Sequence, residues 1–417
     1  MSTVRAIEYP SWHDLGDCVE QRLSRSVDDK AAKTSCSRTL NFLKFVKIYG
    51  LTETYLTNDV ERTDTIMARY VAFLQKGFSV NNIKILAGTI DGYMRCVNAH
   101  YKKYRYNLPF DKKTETAAAK LVANQKNFET GSDKREPLHD RMLIRMYELA
   151  QDGDRFGLRR AIWLWTRLGC FGGFRRQEFV MDKKNDIQFY VMPDGTLIAR
   201  AFTMKNFIFF DDDEMRLVLS EALRDRKSVH SLGTEYDVQK NRMNNQVITF
   251  NRESDTPGFC PVEVGLNIVE MAMALGAKDD ADPLCLYRTE TGDVEYITGD
   301  MITKYYRFVT QLVFPAISAT DLKLISCHSL RVKAAVILHE AGMDGTYIKL
   351  RIRWLSDCFQ IYLRNTRTIC EQHNTAMRSM NEKLLKAVAV SHSNMPSNAV
   401  HIIGIKHDDI TDIEDED

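Results

Sequence analysis

S-C-H-S-L-R-V-K-A-A-V-I-L-H-E-A-G-M-D-G-T-Y-I-K-L-R-I-R-W-L-S-D-C-F-Q-I-Y-L-R-N, residues 326–365 of a 417-residue chain, is the stretch on which the fold turns. His328 and Arg331 lie one helical turn apart and share a face. From Val332 to Ala341 the apolar residues recur at helical spacing, and Gly342 reads as the stop. The joint Met343-Asp344-Gly345 leads into a second short helix ending near Arg351. Trp354 and Tyr362 follow, with Arg364 beyond. An imidazole, a guanidinium, an indole and a phenol thus come together within two or three short helices. Taken singly, each has a plain reading, His328 as a helix-face hydrogen-bonder and the two rings as core. A phenol that does chemistry needs its oxygen aimed at a reactive centre and the charge of that centre neutralised.

Bulk composition narrows the classes. Hydrophobic residues at 44% and charged residues at 27% describe a soluble globular protein long enough for two or three domains. No basic start leads into an apolar run and no stretch reaches membrane length, so neither a secretory signal nor a membrane partner is expected. The nine cysteines are scattered without a CxxC pair. That argues against a disulfide framework or zinc ribbon and for a reducing, intracellular setting. His339-Glu340 begins like a metalloprotease motif, but Met343 stands where its second His is required. With no Walker loop and no G-x-G-x-x-G, neither metal, cofactor nor small-molecule substrate is expected. The net charge of +1 conceals seven carboxylates within residues 408–417. Without them the body stands at about +8, suited to a polyanionic partner.

Residues 1–34 are polar and irregular and read as a flexible N-terminus. Four helices with short joints follow, a compact helical domain over 35–128. The first runs from Ser37 to Gly50, its apolar stripe being Leu40, Phe42, Leu43, Val46 and Tyr49. The second opens at Asn58-Asp59 with a core of Ile66, Val71 and Leu74. The third opens at Asn81, buries Ile83, Ile85, Leu86, Ile90 and Met94, and runs into His100–Arg105. The fourth covers Lys113 to Lys126. Residues 1–132 hold 20 Lys and Arg against 14 Asp and Glu, so the basic excess lies here. Lys102, Lys103 and Arg105, interleaved with tyrosines, suit phosphate and sugar contacts, or else form a solvated helix end.

A linker at 129–136 leads to helices from Arg135 to Leu149 and from Phe156 to Leu168. Next comes G-C-F-G-G-F-R-R-Q-E-F, whose Gly169, Gly172 and Gly173 allow a tight turn and close approach to a ligand. Arg175 opens the next helix with Glu178 one turn on, either a phosphate-binding arrangement or a surface ion pair. Alternating residues from Ile187 to Phe210, broken by turns at Pro193-Asp194-Gly195 and Lys205-Asn206, predict a three-stranded antiparallel sheet. Residues 225–256 read as a polar surface excursion. Helices are expected from Asp213 to Leu223, from Cys260-Pro261 to Leu275, from Thr298 onward, and from Thr366 to Val390. The tail 391–417 is acidic and reads as disordered. The fold class is therefore mainly α with a small antiparallel β-sheet, the second folded domain spanning 137–390.

His-Ser-Leu-Arg, then Trp354, then Tyr362 before a basic residue resembles the C-terminal half of tyrosine recombinases. The form R-W-L-S-D-C-F-Q-I-Y-L-R is most similar to recombinases of eukaryotic mobile elements, the Crypton and DIRS kind. The usual Gly-His pair is replaced here by Arg353-Trp354, and the gap to the tyrosine is one residue shorter. The resemblance implies a helical core-binding domain that clamps DNA, joined to a mixed α+β tyrosine-recombinase catalytic domain. It implies Tyr362 as nucleophile, Arg175 and Arg331 on the phosphate, Lys205 as general acid, His328 and Trp354 assisting, and Glu178 supporting Arg175. It implies double-stranded DNA as partner, a 3′-phosphotyrosine intermediate needing neither metal nor ATP, a homo-tetramer on two sites, and a nuclear location in a eukaryote. A type IB topoisomerase, a hairpin-forming enzyme, and a domesticated, catalytically silent DNA-binding protein share the pattern and stand as alternatives.

Overall fold

The computed structural model describes residues 29–51, 60–103, 116–129, 134–192, 195–239, 244–253 and 259–363, with isolated positions between 369 and 386. The chain is mainly α-helical with small antiparallel sheets, as the sequence led us to expect. It divides into two compact units, Met1–Lys134 with Phe189–Ile198, and Arg135–Gln188 with Ala199–Asp417.

In the first unit, α1 (Asp29–Ile48), α2 (Val60–Gln75), α3 (Ala87–Lys103) and α4 (Ala117–Phe128) close around one aromatic core. Phe42 meets Tyr70 edge-on at 4.9 Å between ring centroids, and Phe45 lies 5.2 Å from the same ring. The Tyr70 hydroxyl, buried with them, donates to Asn41 Oδ1 at 2.9 Å. Helix α1 buries Phe42, Phe45 and Val46, whereas Leu40 and Tyr49 stay exposed. At 100° per residue the former three share a stripe and Leu40 falls on the opposite side, while Tyr49 lies beyond the last helical residue, Ile48. Helix α3 begins at Ala87, six residues later than expected, and Ile83 and Leu86 are exposed. The Ser79 hydroxyl exchanges hydrogen bonds with the Ile83 main chain, and this local turn competes with helix. Lys102 and Lys103 close α3, but their side chains, Arg105 and the Asn58-Asp59 opening lie outside the described residues. β1 (Phe189–Val191) and β2 (Leu197–Ala199) form a separate two-stranded pair.

The second unit is built on α6 (Leu158–Gly172), which buries Trp163 and Trp165 completely and exposes only Arg159 near its start. A helix of that kind belongs inside a core. Against it pack α5 (Asp140–Gln151), α9 (Pro261–Ala274) and α12 (Ser329–Glu340). The short α7 (Arg176–Phe179) follows α6, and α8 (Leu219–Arg224) follows the strand β3 (Phe207–Phe210). β3 pairs antiparallel with β4 (Ser231–Tyr236), and β4 with β5 (Gln246–Asn251). This corrects two expectations. The three-stranded sheet does not join β1 and β2 to β3, and residues 225–256 contain its two longest strands. Phe207, Ile208 and Phe209 are all buried, so β3 needs a covered neighbour. Phe189, Val191 and Leu197 of the separate pair are exposed. β5 alternates Ile248 and Phe250 inward with Val247 and Thr249 outward.

β6 (Leu286–Arg288) and β7 (Val294–Tyr296) form a second hairpin, and Thr298 caps α10 (Gly299–Val313). α11 (Ala319–Leu324) leads into α12, α13 (Gly345–Ile352) and α14 (Gln360–Leu363). The Thr366–Val390 helix, apart from isolated positions, and the acidic tail lie outside the described residues. Cys170, Cys285 and Cys327 are core fillers whose burial pushes their thiols up to about 11, 12 and 12. No helix among the described residues is long and apolar enough to cross a membrane.

Candidate active site

The last turn of α6 sets the site. Gly173, at φ +54°, ends the helix in the left-handed conformation. A side chain there would strike Ile352 at 2.6 Å, and one at Gly169 would strike Leu330 at 2.4 Å. These glycines therefore bring α12 and α13 against α6, a role in helix packing where close approach to a ligand was expected. Gly172 is likewise filled by the Phe174 ring.

Arg175 is the N-cap of α7. Its N–H donates to Glu178 Oε2 at 2.7 Å and its Nη1 to Oε1 at 3.0 Å. Its Nη2 donates to the carbonyl oxygen of Arg353 at 2.8 Å. Arg331, from the first turn of α12, is buried and donates to the carbonyls of Gly173, of Ile352 at 2.5 Å and of Arg353 at 3.4 Å. Arg175 and Arg331, 156 positions apart in sequence, thus share the carbonyl oxygen of Arg353. Burial, then the Arg175 and Arg353 cations, push Arg331 down to about 9, with Glu178 opposing, so it is charged at neutral pH.

The guanidinium of Arg331 lies 5.0 Å from the Trp354 ring centroid, within cation–π range. Trp354 stacks on Phe359 at 5.4 Å and on Tyr362 at 6.3 Å. The Tyr362 ring in turn lies 6.2 Å from the His328 ring. Arg331, Trp354, Tyr362 and His328 therefore form one continuous cluster. His328 precedes α12 and is open to solvent on one side. Lost hydration on its other side, then the Arg331 and Arg135 cations, hold its pKa below the ordinary imidazole value.

Lys205 sits in a short 3-10 turn, Met204–Asn206, immediately before β3. Its ammonium donates to Asp237 Oδ1 at 3.0 Å, and Asn206 donates to Oδ2 of the same carboxylate at 2.9 Å. Asp237 follows Tyr236, whose ring lies 3.5 Å from the Arg353 guanidinium carbon. Lys205 is connected to the cluster through these two residues and makes no direct contact with Arg175, Arg331 or Tyr362 among the described interactions.

Sequence reasoning did not assign Arg353, Tyr236 or Asp237 to the site. Arg353 takes φ +56° at the C-cap of α13, a conformation that glycine adopts at least cost. Its place before Trp354 was visible, but nothing in its letter announced a buried role. Tyr236 and Asp237 lie in the stretch read as an excursion, where the apolar alternation of β5 was the available signal.

No protein-family model matches the sequence, and no curated protein does. Solved structures do. A Tn1549 transposon integrase in complex with transposon right end DNA is 11% identical and covers 87% of this chain and 98% of its own, with a TM-score of 0.47. XerA recombinase is 14% identical, with coverage of 87% and 97% and a TM-score of 0.33. The Tn1549 integrase in complex with a circular intermediate DNA is 10% identical, with coverage of 86% and 98% and a TM-score of 0.43.

Proposed function

We propose that the chain is a tyrosine recombinase, a DNA strand transferase in which the Tyr362 phenol oxygen attacks a phosphodiester. The observation that supports this is the convergence of two guanidiniums, Arg175 and Arg331, beside a Trp354–Tyr362–His328 ring cluster. A phosphodiester anion repels nucleophiles, and its transition state gathers further charge on the non-bridging oxygens. The planar, multiply donating guanidinium suits those oxygens, and main-chain carbonyls hold both planes in advance. Losing one such contact costs about 3 kcal/mol of barrier, roughly a hundredfold in rate.

In this reading the phenol oxygen bonds to phosphorus, and the phenol proton passes toward the neutral imidazole of His328. The bond from phosphorus to the 5′-oxygen breaks, and Lys205 supplies the proton that oxygen needs, exchanging Asp237 for it. Trp354 walls the pocket. The 3′-phosphotyrosine retains the energy of the broken bond, so rejoining draws on no ATP. The guanidiniums provide the positive charge that a metal would otherwise bring. Lys102, Lys103 and Arg105 are assigned to the DNA backbone, with four protomers on two duplexes. The kinship to Crypton and DIRS recombinases, and with it a nuclear location, rests on the motif around Trp354 and Tyr362.

The test is covalent capture on a nicked suicide substrate. Wild-type protein is expected to form a protein–DNA adduct and Tyr362→Phe none, with unchanged circular dichroism. An adduct formed by the Phe variant overturns the assignment. Relaxation of a single supercoiled duplex without two-site recombination would favour the topoisomerase alternative.

A further inference from the structure

Arg353 is costly in three ways. It holds a left-handed backbone at φ +56° without being glycine. Its side chain is completely buried. Its Nε and Nη1 are buried without hydrogen-bond partners. What it does make is specific. Nη2 donates to Glu178 Oε2 at 2.7 Å, and the guanidinium lies over the Tyr236 ring at 3.5 Å. Glu178 is therefore shared between two cations, Arg175 on Oε1 and Arg353 on Oε2.

The charge balance gives that arrangement a purpose. A carboxylate paired with Arg175 alone would cancel the charge that Arg175 offers to an anion. With Arg353 occupying the other oxygen, Glu178 orients Arg175 without neutralising it. Arg175, Arg331, Arg353 and Glu178 together then carry two net positive charges. We propose that Arg353 is a positioning residue that neutralises Glu178, leaving Arg175 free to act on the phosphate, while its main-chain oxygen aligns both Arg175 and Arg331. Glycine at 353 would keep the backbone conformation and that oxygen but lose the neutralising charge. This inference rests on the recombinase reading, because it assigns Arg175 a phosphate.

The experiment is a double-mutant cycle with Arg353→Gly and Glu178→Gln, read by single-turnover covalent capture at saturating nicked DNA. Arg353→Gly relieves the left-handed backbone, which favours its folding, and Arg353→Lys is carried as a second variant that keeps the charge. Arg353→Gly is expected to slow capture at least ~10-fold with DNA affinity little changed, the scale on which groups one layer from a reacting centre act. Arg353→Lys should fall between wild type and Arg353→Gly. Adding Glu178→Gln to Arg353→Gly should restore part of the rate, although Glu178→Gln alone lowers it. A purely structural role predicts that the two defects accumulate, and that outcome, or wild-type capture by Arg353→Gly, overturns the proposal. Urea denaturation of the four proteins of the cycle separates the two levels of inference. Coupling between 353 and 178 in stability, with no adduct even from wild type, would sink the recombinase reading and leave the pairing standing. Adduct formation by wild type without any coupling sinks the positioning role alone.

Discussion

At the scale of single residues, His328 carries the clearest pH dependence. Its pKa is lowered by partial loss of hydration and by the Arg331 and Arg135 cations. The imidazole is therefore neutral at pH 7 and able to accept a proton. In the unfolded chain it titrates near 6.5. Between that value and its lower folded value, the unfolded chain binds more protons, so stability falls as pH drops through this window. Capture by wild-type protein is expected to decline as pH falls, with a midpoint below the ordinary imidazole value, and His328→Asn should lack that acid limb. An acid limb centred above 6.5, measured in single turnovers, would contradict the arrangement. The residues of this cluster were legible because each carries a distinctive letter in a fixed order. Arg353 was not, because its contribution depends on a backbone angle and on a carboxylate 175 positions earlier.

At the scale of elements, the packing of α6 against α12 decides whether the site exists. A methyl at Gly169 would sit 2.4 Å from Leu330 Cδ2 and 3.0 Å from its Cγ. Leu330 is completely buried, so it has no free space into which to swing. Gly169→Ala is expected to cost about 2 kcal/mol, the usual range for overpacking, seen as a lower urea midpoint. It should also reduce covalent capture, since Leu330 adjoins Arg331. Gly169→Ala combined with Leu330→Ala should recover part of the lost rate, and failure of that size exchange would argue against steric transmission through Leu330. A helix with a strong 3.6-residue stripe, such as α10, was readable from sequence. The sheet was not. β4 carries Gly233, Thr234 and Glu235 among its residues, and its burial comes from neighbours remote in the chain. Local pattern cannot report pairing of that kind.

At the scale of the whole molecule, charge is unevenly distributed along the chain. Residues 1–132 hold 20 basic against 14 acidic residues, while residues 408–417 hold seven carboxylates. A polyanion and an acidic segment compete for the same cations, and salt screens that competition. Removing residues 408–417 is expected to raise affinity for non-specific duplex DNA several-fold at about 50 mM salt, with the two proteins converging as salt increases. Equal affinities across the whole salt range, by fluorescence anisotropy, would remove the acidic segment from DNA binding.

The oxygen shared by Arg175 and Arg331 belongs to the main chain, and every amino acid carries one. What fixes it in place is a torsion angle. Any residue able to sustain φ near +56° at position 353 would present the same acceptor to the same two guanidiniums. The placement of that acceptor is thus a matter of shape, which a letter-by-letter reading does not register. Glycine, asparagine or arginine there would present the same oxygen, and of the three only arginine adds the charge that pairs with Glu178.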